Sequence, residues 1–320
     1  MTLHFTVAIP TYNGALRLPK VLARLQAQIK TENLNWEVLI VDNNSQDNTA
    51  AVVKTYIENS ENRPFPFALR YCFEPRQGLA FARQRAVEEA KGNLVGFLDD
   101  DNLPASDWVA AAVTFDEGNP SVGAFGGQIH GRFDKEPPPN FKRIQSFLAI
   151  REGDTRPRPF KPLVLDLPAG AGMVIRRQAW LSSVPKELVL IGRVSGSSLA
   201  GEDFEALLHL HRAGWAIWYN PQMHLEHEIS VHRLTKDYLL STVRGAGLCI
   251  FHLRLVNSKR WERPLLFARV VSGNLKRLIL HIAKYGMRSR GDMVTACELE
   301  FVWSSLVSPF YYLKTQISRR

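Results

Sequence analysis

Short apolar runs alternate with longer stretches whose apolar positions recur at helical spacing through residues 5–128. Phe5 to Ile9, Trp36 to Val41, Ala68 to Phe73, Leu94 to Leu98 and Val122 to Gln128 predict strands. Leu16 to Ile29, Thr49 to Glu58, Leu79 to Ala90 and Ser106 to Phe115 predict the helices between them. Such alternation predicts an α/β fold with a mostly parallel sheet flanked by helices.

The pattern breaks over residues 134–162, where two proline-rich stretches flank a short helical segment, Ile144 to Arg151. This reads as a long mobile excursion. Regularity returns with Leu163 to Leu167, the small-residue turn Pro168 to Gly172 and a strand at Met173 to Arg176. Gln178 to Leu181 begins a helix. A Ser- and Gly-rich loop, Gly192 to Gly201, leads into a helix at Glu202 to Ala213 with Gly214 as its stop, and Trp215 to Tyr219 reads as a final short strand. The chain is therefore expected to divide into a sheet-containing unit, residues 1–235, and a basic, amphipathic helical extension, residues 236–320. The extension carries Leu265 to Tyr285 and Val294 to Thr315 as helices, with Arg269, Lys276, Arg277, Lys284, Arg288, Arg290, Lys314, Arg319 and Arg320 beside the apolar stripes. Helices packed on the domain or on a second subunit, and helices docked on a membrane surface, both satisfy this pattern.

Forty Lys and Arg against 31 Asp and Glu give a net charge of +9, which favours an anionic partner. No nucleic-acid-binding motif accompanies that charge. Cys72, Cys249 and Cys297 are widely spaced and form no CxxC pair, so a cytoplasmic setting is expected rather than a disulfide framework or a zinc ribbon. No secretory signal is visible, and no uninterrupted apolar run reaches the roughly 18 residues of a spanning helix.

Asp99, Asp100 and Asp101 follow the apolar run Leu94 to Leu98 directly. Three adjacent carboxylates repel one another in a plain turn, whereas a hard cation with oxygen ligands turns that repulsion into coordination and can grip a diphosphate. The first strand ends Pro10-Thr11-Tyr12-Asn13-Gly14 and the second Asp42-Asn43-Asn44-Ser45. In a doubly wound sheet such carboxyl ends hold ligands: Tyr12 can stack on a base, and Asp42 with its neighbouring amides can bind a base edge or ribose. Arg76, Gly78 and Arg83 sit where a turn enters a helix and suit phosphate or restraint of the acidic loop. The first strand lacks GxGxxG, and GxxxxGK[ST] is absent, which removes dehydrogenase and ATPase readings. Glu202 and Asp203 open a helix, where they serve as a cap or, for Asp203, as a general base. Among the late histidines, the spacing rules out a metalloprotease motif, and one histidine joining the carboxylates is expected.

In order and spacing, Ala8 to Asn13, Val41 to Asp47, Phe97 to Asp101 and Gly201 to Phe204 resemble the family 2 glycosyltransferases, over roughly residues 3–235. The stretch Met223 to Tyr238 and the helical tail are similar to enzymes of cyanobacterial exopolysaccharide (hormogonium polysaccharide) assembly. The resemblance implies a GT-A, Rossmann-like fold and a divalent cofactor, Mg²⁺ or Mn²⁺. It implies nucleotide-sugar contacts from Pro10, Thr11, Tyr12, Asn13, Asp42, Asn44, Arg76, Gly78, Arg83, Asp99, Asp100, Gly170 and Gly172. Asp99, Asp101 and His227 are the implied metal ligands, with His224 and His232 as rivals to His227. Asp203, beside Glu202, is the implied catalytic base.

The expected activity is inverting, metal-dependent transfer of a sugar, from UDP by preference, to a saccharide or lipid-linked acceptor in cell-surface polysaccharide synthesis. Peripheral contact of the tail with the cytoplasmic face of the inner membrane accompanies it. Two rivals stand beside this reading. A nucleotidyltransferase would need a basic, glycine-rich loop after the first strand, which Pro10 to Gly14 does not provide. A non-catalytic scaffold subunit on the membrane would leave both acid clusters without a purpose.

Overall fold

The structure, a computed structural model, describes residues 3–62, 65–153, 155–192, 199–286 and 291–318. Its first half is the alternation expected from the sequence: β1 (Leu3–Thr11), α1 (Leu18–Gln26), β2 (Trp36–Asp42), α2 (Thr49–Asn62), β3 (Ala68–Phe73), α3 (Leu79–Glu89) and β4 (Gly92–Phe97). Then come β5 (Asn102–Pro104), α4 (Trp108–Gly118), β6 (Val122–Phe133), β7 (Arg158–Pro159), β8 (Val174–Arg176), α5 (Arg177–Ser183), α6 (Glu202–Arg212) and β9 (Ala216–Ile229). The strands form one sheet in the order β3-β2-β1-β4-β8-β6-β9-β5, with β7 paired to β9. Its long ladders are the parallel ones, β1–β2, β1–β4, β2–β3 and β6–β9, while β8, β5 and β7 join antiparallel. β2 is buried along its whole length and β1 from Phe5 onward, which explains their continuous apolar runs: helices cover both faces.

The stretch Leu163 to Leu167 holds the end of a 3₁₀ turn, Pro162–Val164, and Leu165 turns the chain at φ +61°. Two local expectations change. The strand expected to stop at Tyr219 continues to Ile229, because the β6–β9 pairing steps from Gly126↔Tyr219 to Gln128↔His224 and a bulge absorbs Pro221. The described part of residues 134–162 is no loose excursion. Phe141, Ile144, Leu148 and Ile150 are buried with Ile229, Leu239, Val243 and Cys297 in one apolar cluster.

The C-terminal helices α7 (Lys236–Val256) and α9 (Met293–Ser318) pack against this cluster, Cys249, Leu253 and Val256 of α7 join the main core, and α8 (Arg263–Tyr285) packs Leu266, Phe267 and Val270 against Phe251 and Leu255 of α7 and Tyr312 of α9. Among the described residues α7 alone is long and apolar enough to cross a membrane, and 61% of its apolar window is buried within the fold. α8 turns Val270 and Asn274 inward and leaves Leu265, Leu275, Ile279 and Ile282 exposed on its outer side, near the exposed Arg269, Lys276 and Lys284. Arg288, Arg290, Arg319, Arg320 and loop residues 193–198 lie outside the described residues.

Candidate active site

Parallel register brings the carboxyl ends of three neighbouring strands to one edge. Thr11 stands opposite Asp42, Ala8 opposite Phe97, and the acidic turn follows β4 directly. The antiparallel pairing of β5 with β9 then sets Asn102 opposite His227, which carries that histidine beside Asp101. On the other side β8 runs back along β4. The Gly172 N–H donates to the Phe97 carbonyl at 2.9 Å, so the small-residue segment from Pro168 lies against the acids. A cavity of about 750 Å³ opens here, and Asp99, Asp101, Glu202, Asp203 and His227 all line it.

The three aspartates do different things. Asp100 accepts from Thr11 Oγ1 at 2.5 Å and from Arg17 Nε and Nη2 at 2.7 and 2.9 Å, so it ties the end of β1 to the acidic turn. Asp101 lies between two cationic or imidazole groups: Arg233 Nη2 is 2.5 Å from Oδ2 and His227 Nε2 is 3.5 Å from Oδ1. Burial raises its pKa, but the contact with His227 and the charge of Arg233 outweigh it and hold the carboxyl down at about 2. Asp99 faces Arg83, whose Nη2 is 3.8 Å away. Desolvation in the cavity wall raises its pKa against the pull of Arg83, and the Asp101 charge adds to the rise.

His227 is oriented by the backbone. Its Nδ1 lies 2.9 Å from the Leu148 carbonyl, an acceptor only, so Nδ1 carries the proton and Nε2 presents its lone pair toward Arg233 Nη1 at 2.6 Å. A guanidinium thus bridges Asp101 and His227. Among the described residues no three His, Cys, Asp or Glu side chains are gathered as a ready cage for a metal. The donor set, two carboxylates and a neutral imidazole nitrogen, suits Mg²⁺ or Mn²⁺ held jointly with phosphate oxygens, the usual manner for such ions.

Arg83 joins the acidic turn to α6. It is 3% exposed and donates from Nη1 to Glu202 Oε1 at 2.9 Å, while its Nε has no partner among the described residues. Asp203, in the first turn of α6, accepts from the Gly170 N–H at 2.7 Å, and Oδ1 accepts from the Phe204 N–H at 2.8 Å. Gly170 leaves room for the guanidinium: a Cβ there would lie 2.1 Å from Arg83 Nη2. Gly170→Ala is therefore expected to displace Arg83 and cost about 1–3 kcal/mol, the range for overpacking, read as a lower melting temperature. An unchanged melt would show that Arg83 shifts freely. Gly172 adopts φ +70° and meets Leu225 Cδ2 at 2.4 Å from its would-be Cβ, so it shapes the turn without lining the cavity.

The remaining sequence-derived candidates divide. Pro10 and the 45%-exposed Tyr12 line the cavity. Thr11, Asn13, Asp42, Asn44, Arg76 and Gly78 do not. Asp42 accepts from the Tyr71 hydroxyl at 2.9 Å and from the Ser45 N–H at 2.8 Å, Asn13 accepts from the Gln46 N–H at 2.8 Å, and Asn44 holds a turn at φ +64°. Arg76 is committed to Glu74 at 3.0 Å, and the Gly78 N–H donates to Asn43 Oδ1 at 2.9 Å. Of the histidine rivals, His224 pairs with His130 at 3.0 Å, and neither His224 nor His232 lines the cavity. Sequence reasoning missed Arg17 as the partner of Asp100 and Arg233 as the partner of Asp101. Arg17 left no signal, whereas Arg233 had one in its position just after His227, in the turn Val231–Leu234 that closes β9.

Residues 6–180 match the sequence profile of Glycosyl transferase family 2. The glycosyltransferase AglE of Haloferax volcanii is 31% identical over 125 residues, 39% of this chain and 38% of that protein. The UDP-Glc:α-D-GlcNAc-diphosphoundecaprenol β-1,3-glucosyltransferase WfgD of Escherichia coli is 30% identical over 105 residues, 33% of this chain and 36% of that protein. The matches thus span less than two fifths of these relatives' lengths. In fold, the chain superposes on the Pyrobaculum calidifontis mannosyltransferase PcManGT, solved with GDP-Man and Mn²⁺, with a TM-score of 0.61 at 19% identity, covering 96% of this chain and 88% of that one.

Proposed function

The chain belongs to the family 2 glycosyltransferases, and from that membership we propose that it transfers a sugar, with inversion, from a nucleotide donor to a saccharide or lipid-linked acceptor. The single observation that carries this reading is that Asp101 and Asp203, from separate elements, line one cavity and are linked through Arg83, Asp99 and Glu202. Tyr12 offers its ring to the base at the end of β1. Asp99, Asp101 and His227 would hold a divalent ion that neutralises the leaving diphosphate. Arg83 fixes the distance between the acidic turn and α6, and the unshared acceptor capacity of Asp203 takes the proton of the acceptor hydroxyl.

The donor preference is for a UDP-sugar, supported by the donor named for WfgD; PcManGT was solved with GDP-Man, so the nucleotide panel includes both. In this reading residues 1–235 form the catalytic unit and 236–320 the extension that completes the cavity. The activity belongs to cell-surface polysaccharide synthesis. The three free cysteines agree with a cytoplasmic setting, and the exposed apolar and basic side of α8 with peripheral contact to the inner membrane.

The test is a panel of UDP- and GDP-sugars scored for thermal stabilisation with and without Mn²⁺, followed by donor turnover with the stabilising compound. Stabilisation by none of them would reject the reading. Asp101→Asn is expected to weaken metal-dependent nucleotide binding at least about tenfold, the loss of one charge-assisted contact. Because Asp101 titrates at about 2, wild-type binding should keep this carboxylate's contribution at every pH from 5 upward. Calorimetry giving the same affinity with and without metal would remove Asp101 from the metal set.

A further inference from the structure

The cavity does not end at the carboxylates. It continues along α7, where Thr242, Ala246, Ile250 and Arg254 recur every fourth residue and so share one helix face. Leu253 abuts the start of α6, since a Cβ on Gly201 would lie 3.5 Å from Leu253 Cδ1; the far end of this branch is therefore next to the element carrying Asp203. Two arginines, Arg254 from α7 and Arg277 from α8, line that end, and among the described residues neither has an acidic partner. Burial, and then the charge of Arg277, pull the pKa of Arg254 below its ordinary value. Like charges set together, here with Arg254 half-buried and Arg277 exposed, cost stability unless something anionic joins them. A second, independent feature points the same way: Ser305 of α9, 2% exposed, lines the same cavity with an Oγ that has no partner among the described residues.

We propose that Arg254, Arg277 and Ser305 form a binding site for a phosphate-class group of the acceptor, which seats the acceptor hydroxyl at Asp203. This rests on the glycosyltransferase reading and adds the acceptor's chemistry to it. A phosphate suits the site better than a carboxylate, because a carboxylate is matched by one bidentate guanidinium, whereas a phosphate dianion has oxygens for two and for a hydroxyl donor. Apolar residues lining the same cavity, Ala246, Ile250 and Phe301, accommodate an uncharged or apolar portion of the same molecule.

Calorimetry in EDTA, which keeps metal from recruiting the probes to the carboxylates, tests the proposal with inorganic phosphate, glucose 1-phosphate and farnesyl phosphate. Binding of at least one should be roughly 10- to 100-fold weaker in Arg254→Gln/Arg277→Gln than in the wild type, with Arg254→Lys intermediate. Farnesyl phosphate binding tightest assigns the group to a lipid carrier, and glucose 1-phosphate tightest to a phosphosugar; equal binding of all three places recognition in the phosphate alone. Arg277→Gln by itself, at an exposed position, serves if the double variant melts early. Equal affinities in wild type and variant, or no binding of any probe to the wild type, would overturn the site. Nucleotide-sugar turnover by the wild type, measured separately, distinguishes this failure from failure of the parent reading.

Discussion

Asp203→Asn is expected to retain nucleotide-sugar binding and lose sugar transfer by about 10²- to 10⁴-fold, the contribution of a positioned proton acceptor. The substitution is nearly isosteric. An asparagine oxygen can still accept from the Gly170 N–H, now 2.7 Å from the carboxylate, so the segment against the acidic turn keeps its place while the basic oxygen is gone. The neighbouring Glu202 does not substitute for it, because it is buried and engaged by Arg83 at 2.9 Å. Donor affinity by calorimetry and initial rates with a phosphorylated acceptor separate the two effects. A variant that turns over at the wild-type rate would remove Asp203 from the reaction.

Arg83→Met should be the most destabilising single change in the site. Arg83 is 3% exposed and is the one cation within reach of both Glu202 and Asp99 among the described residues, so its loss leaves the buried Glu202 uncompensated at about 3–5 kcal/mol. The cost depends on pH with a definite sign. Burial, and then the Asp203 charge, already raise the Glu202 pKa above its ordinary value against the pull of Arg83, and removing Arg83 raises it further. A carboxyl whose pKa is higher folded than unfolded holds more protons in the native state, so stability falls as pH rises from the ordinary Glu range through the raised value. The gap in melting temperature between wild type and variant should therefore narrow on acidification from pH 8 to pH 5. A gap that stays constant would mean that Glu202 is not the group left unpaired.

How much of this was legible beforehand depended on whether a feature is local. The strands β1, β2 and β4 were readable as largely apolar runs, as expected where helices cover both faces, whereas β3 carries Arg70 and is only partly buried. α6 was readable from Gly201, its acidic first turn and Gly214. β9 beyond Tyr219 was hidden by Pro221, which ordinarily ends a strand and here sits in a bulge. The fold of residues 134–162 was hidden as well: proline-rich composition signals irregular backbone, not whether Phe141, Ile144 and Leu148 find a shared core.

For the site, the chain alone determined that carboxylates stand at strand and helix ends and that small residues precede β8, since these follow from neighbours in sequence. Only the tertiary structure decided their separate tasks. Asp100 turns to Arg17 and Thr11, Asp101 to Arg233 and His227, and Asp99 to Arg83, although the three are consecutive. Adjacent side chains leave a tight turn in different directions, and what each meets is set by the register of distant strands. The pairing of Asn102 with His227 is what brings an imidazole 3.5 Å from Asp101 across a long stretch of chain. A slip of one residue there would send that ring to the opposite face of the sheet.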